Sequence, residues 1–330
     1  MYESNPIRLL DLGPTVWWRT QAVYHAVAEL MRADSPDTII ITHPLTPYLC
    51  LGYHQVYDAV LDRATCERRQ LPVVRRQVGG GATYLDIHQL FYQCVFHHTR
   101  VPAMLRDVYA QMLAAPVAAL RQLGLNAELW DVNEIEVERK RIAGVGGGRI
   151  GEACVVVGNL LFDFDYTTMT NVWRVPAESF RELAAAALRE QVTTLWRLIG
   201  PTTIFAVQTM LIEEFARALG RPLKRGKLTR EETHHSSQVA ARLASPESLS
   251  LHSENGSVAP MKSLKISARV AIHAAETEIG GRRIRGSFRV REGIIEEARL
   301  DIAGGQAWEN VQADLRGVPF REWQERLPVG

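Results

Sequence analysis

Two glycine clusters limit most strongly how this chain can fold. "RRQVGGGATYLD" runs from Arg75 to Asp86, and "IAGVGGGRIG" from Ile142 to Gly151. Each is flanked by apolar runs of strand character, "PVV" before the first and "ACVVVGNLLFDFD" after the second. Successive glycines carry no Cβ, so another group can approach their backbone closely. Consecutive N–H groups in such a turn can form an anion-binding nest. Arg75 and Arg76, just upstream, add planar donors with fixed positive charge. The competing reading of "GGG" is a glycine-rich hairpin with surface arginines. The second cluster holds "GGGRIG", Gly146 to Gly151, which has GxGxxG spacing in the wrong setting. A dinucleotide loop opens a helix, and here a β-rich run follows. A Walker A loop, GxxxxGK[ST], is absent. Glycine loops between strands and beside arginines suit a ligand with an anionic head and an apolar body.

Periodicity around these loops predicts an α+β chain with a mixed β-sheet packed by helices. Residues 7–12, 38–43, 48–54 and 88–98 read as strands, and 20–30 and 104–125 as amphipathic helices. Residues 56–71 read as a helix, and 72–86 as strand, glycine turn and strand. "AELWDVNEIEVERKRIAG" and "ACVVVGNLLFDFD" read as strands, and residues 177–199, about 202–219, and 229–244 as helices. "SPESLSLHSENGSVAP", Ser245 to Pro260, has no period and is rich in Ser, Pro, Gly and Asn, as in a linker or exposed loop. The expected division is a domain over 1–245 and a small α+β domain over 246–330. The latter reads as strands turned by "GG" and "EG", then a short helix, "WENVQADLRG".

Composition excludes several classes. With 38 basic and 37 acidic residues among 330, a general nucleic-acid binder is not expected. No apolar run approaches the ~20 residues of a membrane helix, and "MYESNPIRLLDLG" lacks signal-peptide character. Cys50, Cys66, Cys94 and Cys154 show neither CxxC pairing nor metal spacing with histidine. Three of them lie in apolar runs, as reduced core thiols do, so a cytoplasmic setting is expected.

Ordered along the chain, several motifs resemble the lipoate–protein ligases of the biotin/lipoate ligase superfamily. "LGYHQVYDAV" resembles the family's first motif. "VVRRQVGGGATYLD" is close to its most specific signature. "NEIEVERKRIAG" resembles an Asn-Asp-Ile strand leading into Lys-Ile-x-Gly, and "VGNLLFDFD" the Gly-x-Leu-Leu strand after it. "RRIRGSFRVREGIIEEARLDIAG" is similar to the accessory C-terminal domain of these ligases. The resemblance implies a ligase-like catalytic domain that converts lipoate or octanoate and ATP to acyl-AMP, with Mg²⁺ balancing phosphate charge. The acyl group would then pass to a lysine of a lipoyl carrier domain. By the same resemblance, Arg75, Arg76, Gly79, Gly80, Gly81 and Ala82 would hold the acyl group and adenylate, with Asp86 bracing the loop. Asn133 would face the nucleotide and Glu134 the metal. Gly144, Gly158 and Leu160 would line the adenylate.

Three positions depart from that pattern. The family's lysine falls on Arg141, with Lys140 one residue earlier. Glu134 replaces an aspartate, and Leu85 a histidine. Neighbours on a strand face opposite ways, so Arg141 should face the site and Lys140 away from it. A bulge would exchange them. Alternatives are an ATP-independent octanoyl or lipoyl acyltransferase on the same fold, and a non-catalytic lipoate-binding relative. Biotin ligation lacks its glycine-arginine loop here. Cys154 as an acyl-accepting nucleophile would need a base, and "EACVVVG" offers no neighbouring histidine. A core thiol is the favoured reading. His97 and His98 show no metal pattern and read as a solvated strand end. The arginines of "GGRRIRG" read as edge-strand charges.

Overall fold

The computed structural model describes residues 5–253, 258–301 and 307–327. Contacts divide the chain into two units. The first comprises Met1–Tyr57, Cys66–Asp165 and Thr193–Ser253, and the second Asp58–Thr65, Tyr166–Val192 and Glu254–Gly330. The second is thus not one continuous stretch: residues 58–65 and 166–192 join the C-terminal residues. Part of the 245–260 stretch is ordered as a short helix, Pro246–Leu249, capped by Ser245. Residues 254–257 of it lie outside the described residues, as do 302–306 of the C-terminal region.

Among the described residues the first unit contains twelve strands. They are β1 (Ile7–Thr15), β2 (Thr38–Pro44), β3 (Tyr48–Leu51), β4 (Val73–Arg75), β5 (Thr83–Leu85), β6 (Gln89–His97), β7 (Ala127–Trp130), β8 (Glu134–Val137), β9 (Lys140–Arg141), β10 (Ala143–Ile150), β11 (Ala153–Leu161) and β12 (Leu223–Arg225). The main sheet has the order β10-β11-β6-β2-β1-β12. It is mixed: β1 runs parallel to β2 and β12, whereas β2, β6, β11 and β10 pair antiparallel. β2 reads "TIIITHP", apolar without alternation, because both faces of the sheet are covered. Ile39 and Ile41 enter a core with Val108, Met112 and Leu113 of the helix Leu105–Gln122 and Phe215 of the helix Ile204–Leu219. Ile40 enters another with Val23, Tyr24 and Val27 of the helix Trp17–Glu29. Each such side chain, fully buried, contributes about 1.5–3 kcal/mol.

Two small sheets flank the main one. The first has the order β4-β3-β5. The strands on either side of the glycine triplet are therefore not a hairpin; β3 lies between them. The second, β7-β8-β9, is antiparallel. Ile135 and Val137 of β8 join the first core.

The second unit is built on an antiparallel meander of β13 (Ser263–Lys265), β14 (Val270–Ile279), β15 (Arg282–Arg291) and β16 (Ile294–Asp301). It turns at Gly280-Gly281, both at positive φ, and at Glu292-Gly293, as "GG" and "EG" predict. The helix Glu178–Gln191 packs on β14 and β15. Phe288, Trp323 and Leu315 form the core of this unit. Arg282, Arg283 and Arg285 are exposed, but on an inner strand rather than an edge. The helix expected over 56–71 is two short ones, Tyr57–Val60 and Arg63–Arg68. Leu61 leaves the helix to bridge Trp173, and Asp62 Oδ1 accepts the Thr65 N–H at 2.7 Å. The helix expected over 177–199 ends at Gln191, and a short one, Leu195–Ile199, follows in the first unit with Thr194 as its cap. Among the described residues no helix is long and apolar enough to cross a membrane.

Candidate active site

The two glycine clusters meet in the first unit. β10 is an edge strand of the main sheet, and the Gly79 N–H donates to the Gly147 carbonyl on it at 3.1 Å. A Cβ on Gly146 would sit 2.7 Å from the Gly79 oxygen, and one on Gly52 would overlap the Gly80 oxygen. Loop 52–55, loop 79–81 and β10 therefore touch backbone to backbone. That contact, rather than a ligand, is the first demand on Gly52 and Gly146; a Cβ on Gly79 would meet only the Gly147 oxygen, at an ordinary 3.5 Å. Gly80 has φ +103°, and a Cβ there would come within 2.6 Å of Arg76 Nη2. Gly81 differs: a Cβ there would meet nothing within 4 Å, so its face is open.

Both arginines are spent on carbonyls. Arg75, 2% exposed, donates from Nε to Ser248 at 2.6 Å, from Nη1 to Gly52, Tyr53 and Gln55, and from Nη2 to Leu249 and Leu251. It ties two loops of the first unit together. Arg76 donates to Gly79 from Nε (3.1 Å) and Nη2 (3.0 Å), to Gly81 at 2.8 Å and to Cys50 at 3.2 Å. The carbonyls of the glycine loop are thus turned inward onto a guanidinium. Three of the loop's N–H groups are left over. Among the described residues nothing accepts from the backbone N–H of Gly80, Gly81 or Ala82, and Gly80 and Gly81 are exposed while Ala82 is half-buried. Three consecutive donors with a cation behind them fit an anionic oxygen.

His25 holds this loop from below. It is fully buried, its Nδ1 lies 2.7 Å from the Gln21 carbonyl, and its Nε2 accepts the Gln77 N–H at 2.9 Å. Burial pulls its pKa down to about 3, so the ring is neutral. Asp86, at the far end of the loop, accepts the His88 N–H at 3.0 Å and lies 3.5 Å from Gln89 Nε2. Gln89 continues to Asn159, whose Oδ1 accepts the Gly144 N–H at 2.8 Å. A Cβ on Gly144 would lie 2.6 Å from that oxygen, which explains a glycine there. Gly158 makes room for the Tyr92 ring opposite it. Leu160 is fully buried in the core, so its side chain is not offered to a ligand. Asn133 is hydrogen-bonded to Tyr109, and a Cβ on Gly147 would lie 2.6 Å from the Tyr109 hydroxyl. Tyr109, Asn159, Gln89 and His25 do not stand out in the sequence motifs. Asn159 and His25 carry a signal, each a polar residue inside an apolar run; Tyr109 looks like any aromatic on an amphipathic helix.

The stretch 134–142 forms a two-residue hairpin turn, Glu138-Arg139, with Val137 opposite Lys140 and Glu136 opposite Arg141. No bulge intervenes. Lys140 is exposed, Ile142 is fully buried, and Arg141 shares a face with Glu134 and Glu136. Arg141 Nη2 pairs with Glu134 Oε2. This ion pair changes the expected role of Glu134. A buried carboxylate already neutralised by a guanidinium does not fit a hard cation such as Mg²⁺, whose ligands are free oxygen donors. Cys154 is half-buried, and burial pushes its thiol up, as it does for Cys50 and Cys94. None of the three is an activated thiolate.

Known proteins resemble this chain. The family model of the lipoyl protein ligase A/B catalytic domain matches residues 18–219. An octanoyltransferase LipM of Kyrpidia tusciae is 26% identical over 241 residues, covering 66% of this chain and 88% of that protein. A lipoate-protein ligase A subunit 1 of Thermoplasma acidophilum is 26% identical over 192 residues, covering 55% and 72%. Among solved structures, the bipartite lipoate protein ligase of T. acidophilum superposes with a TM-score of 0.68 at 23% identity, covering 77% of this chain and all of that one. That structure shares the fold of a mixed sheet packed by helices.

Proposed function

The chain belongs to the lipoyl protein ligase A/B catalytic-domain family, and from that premise we propose that it is an ATP-dependent lipoate–protein ligase. The observation that carries this reading is the row of free N–H donors at Gly80, Gly81 and Ala82, combined with thiols that burial keeps protonated. An acyltransferase working through a cysteine needs a thiolate; an adenylating enzyme needs a place for a carboxylate and a phosphate.

In the proposed reaction a carboxylate oxygen of lipoate or octanoate attacks the α-phosphorus of ATP. A new O–P bond forms, and the bond to the β-phosphate oxygen breaks, releasing pyrophosphate. The ε-amine of a carrier-domain lysine then attacks the acyl carbonyl carbon, and the C–O bond to AMP breaks. The amine's proton leaves to solvent or AMP. The loop's N–H donors would stabilise the acyl-adenylate oxygens, a contribution worth ~10²–10³ in rate per donor in comparable sites. Arg76 acts through the loop, by holding the carbonyls away from the anion. Mg²⁺ would enter with ATP as counter-ion of its phosphates. The four cysteines are all free, in keeping with a cytoplasmic setting.

The second reading is an octanoyltransferase that takes its acyl group from an acyl carrier, favoured by the identity to the K. tusciae protein. One comparison separates the two. Incubation with lipoate, ATP and Mg²⁺ should yield lipoyl-AMP in the mass spectrum, and a lipoyl carrier domain should gain the acyl mass only when ATP is present. Acyl transfer from an octanoyl carrier without ATP, and no lipoyl-AMP, would establish the second reading instead.

A further inference from the structure

We propose that His97, His98 and Glu152 form a binding site for a divalent transition-metal ion of the zinc class. Backbone geometry brings them together. β6 ends at His97, which pairs with Ala153 of β11, and the chain then tightens into the 3-10 turn His98–Arg100. In a continuing strand the two rings would face opposite ways. The turn brings them to one side, with centroids 4.6 Å apart. Glu152 lies in the turn joining β10 to β11, and its carbonyl accepts the His98 N–H at 2.9 Å. The hairpin turn and the strand end are thereby locked to each other before any ligand arrives.

The donor atoms lie within 4.8 Å of one another. His98 Nδ1 is 3.3 Å and His97 Nε2 is 3.9 Å from Glu152 Oε2. Ligands at zinc bond lengths of about 2.0–2.2 Å in tetrahedral array are roughly 3.3–3.5 Å apart. Small rotations of the exposed Glu152 and half-buried His98 close that gap. His98 Nδ1 also lies 3.1 Å from the Glu152 carbonyl, a contact the ion would replace. His97 is 5% exposed, and its Nδ1 lies 2.8 Å from Thr99 Oγ1. His97 Nδ1 also accepts the Thr99 N–H at 3.3 Å, so a metal on Nε2, which puts the proton on Nδ1, exchanges that long contact for donation to the Thr99 hydroxyl, the outer contact that orients a ligating histidine. The second carboxylate oxygen of Glu152 lies 3.6 Å from Arg149 Nη2, so Oε2 is the one presented. Two imidazoles and one carboxylate favour zinc, cobalt or nickel over magnesium or calcium. Three protein donors leave a coordination position for water.

The site is remote in kind from the glycine loop: it uses none of the groups assigned to acyl binding. Its consequence would be to pin the turn at the end of β10, the strand on which loop 79–81 rests. The test is metal binding by the full chain, freed of metal with a chelator. Titration with CoCl₂ should give visible d–d absorption saturating at one equivalent, and ZnCl₂ should displace it. Calorimetry with zinc should give a dissociation constant of about micromolar or tighter. His98→Gln and Glu152→Gln, both on the solvent side, each remove a ligand and should weaken binding more than the roughly 10- to 100-fold that loss of an outer contact costs. Thr99→Val, which removes only the orienting hydroxyl, should weaken it less. Absence of d–d bands in the wild-type protein at stoichiometric cobalt, or binding unchanged in both ligand variants, would overturn the proposal.

Discussion

At the scale of single residues, Arg141 and Glu134 are the pair on which the site assignment turns. The carboxylate side chain is 2% exposed and the guanidinium 29%. Removing the guanidinium leaves a buried charge without its partner, which typically costs about 3–5 kcal/mol at a fully buried site and less where one partner is part-exposed. Loss of activity in Arg141→Ala alone would therefore mix folding with chemistry. Glu134→Gln in the same chain removes the stranded charge. Arg141→Ala is expected to lower the melting temperature and abolish lipoyl-AMP formation. The double variant should recover much of the melting temperature without recovering adenylation, and Arg141→Lys should keep both. Lys140→Ala should change neither. Recovery of adenylation in the double variant would make Arg141 a partner for Glu134 and nothing more. Strand alternation made the face of Arg141 legible in the sequence, because period two needs only the neighbours. Its pairing with Glu134 was not legible, since a cross-strand partner depends on the register of the turn between them. Likewise, Arg75 and Arg76 announced positive charge beside glycines, yet their donors go to carbonyls from residues 50–55, 79–81 and 248–251, which nothing local could indicate.

At the scale of elements, the β8–β9 hairpin carries an unusual turn. Glu138 and Arg139 have φ of 51° and 62°, the left-handed values of a type I′ turn, which favours Asn-Gly. Two L-residues with side chains are held there at a cost of roughly 1 kcal/mol or more each. Replacing them with Asn-Gly should stabilise the protein by about 1 kcal/mol, read as a shift in the urea midpoint with unchanged slope. It should leave lipoyl-AMP formation intact, because neither side chain enters the site. A fall in stability would mean that the two side chains make contacts that outweigh the relieved backbone. The strands themselves were legible from their short apolar runs. What sequence patterning could not show was that β3, well upstream, inserts between β4 and β5. Period and turn residues identify strands but not which strand lies beside which. The continuous helix expected over 56–71 failed for a related reason: its apolar spacing is helical, but Leu61 is claimed by a distant bridge to Trp173.

At the scale of the whole molecule, imidazoles packed into both units set a common response to acid. His25 and His43 in the first unit and His273 in the second all have pKa values lowered, with burial the largest cause. In the unfolded chain each titrates near 6.5; in the fold His25 does so only at about 3. The unfolded state therefore takes up these protons first. Their contribution to stability is complete above pH ~6.5 and is lost as pH falls toward the folded values, for His25 by up to about 1.4 kcal/mol per pH unit. Asp86, raised by burial, acts with the opposite sign and only in the carboxylate range. Melting temperatures should be level from about pH 7 to 8 and fall steadily from about 6.5 to 5; a flat profile across that interval would show that the imidazoles are protonated in the fold. The glycine contact has a further consequence at this scale. β10 ends the main sheet, and an edge strand lined with glycines has no side chains to shield its carbonyls from a strand of another molecule. Loop 79–81, by taking the Gly147 carbonyl, covers that edge with the chain's own backbone. The segment proposed to grip the acyl anion through Gly80, Gly81 and Ala82 would thus also, through the Gly79 N–H, keep the sheet from growing by self-association.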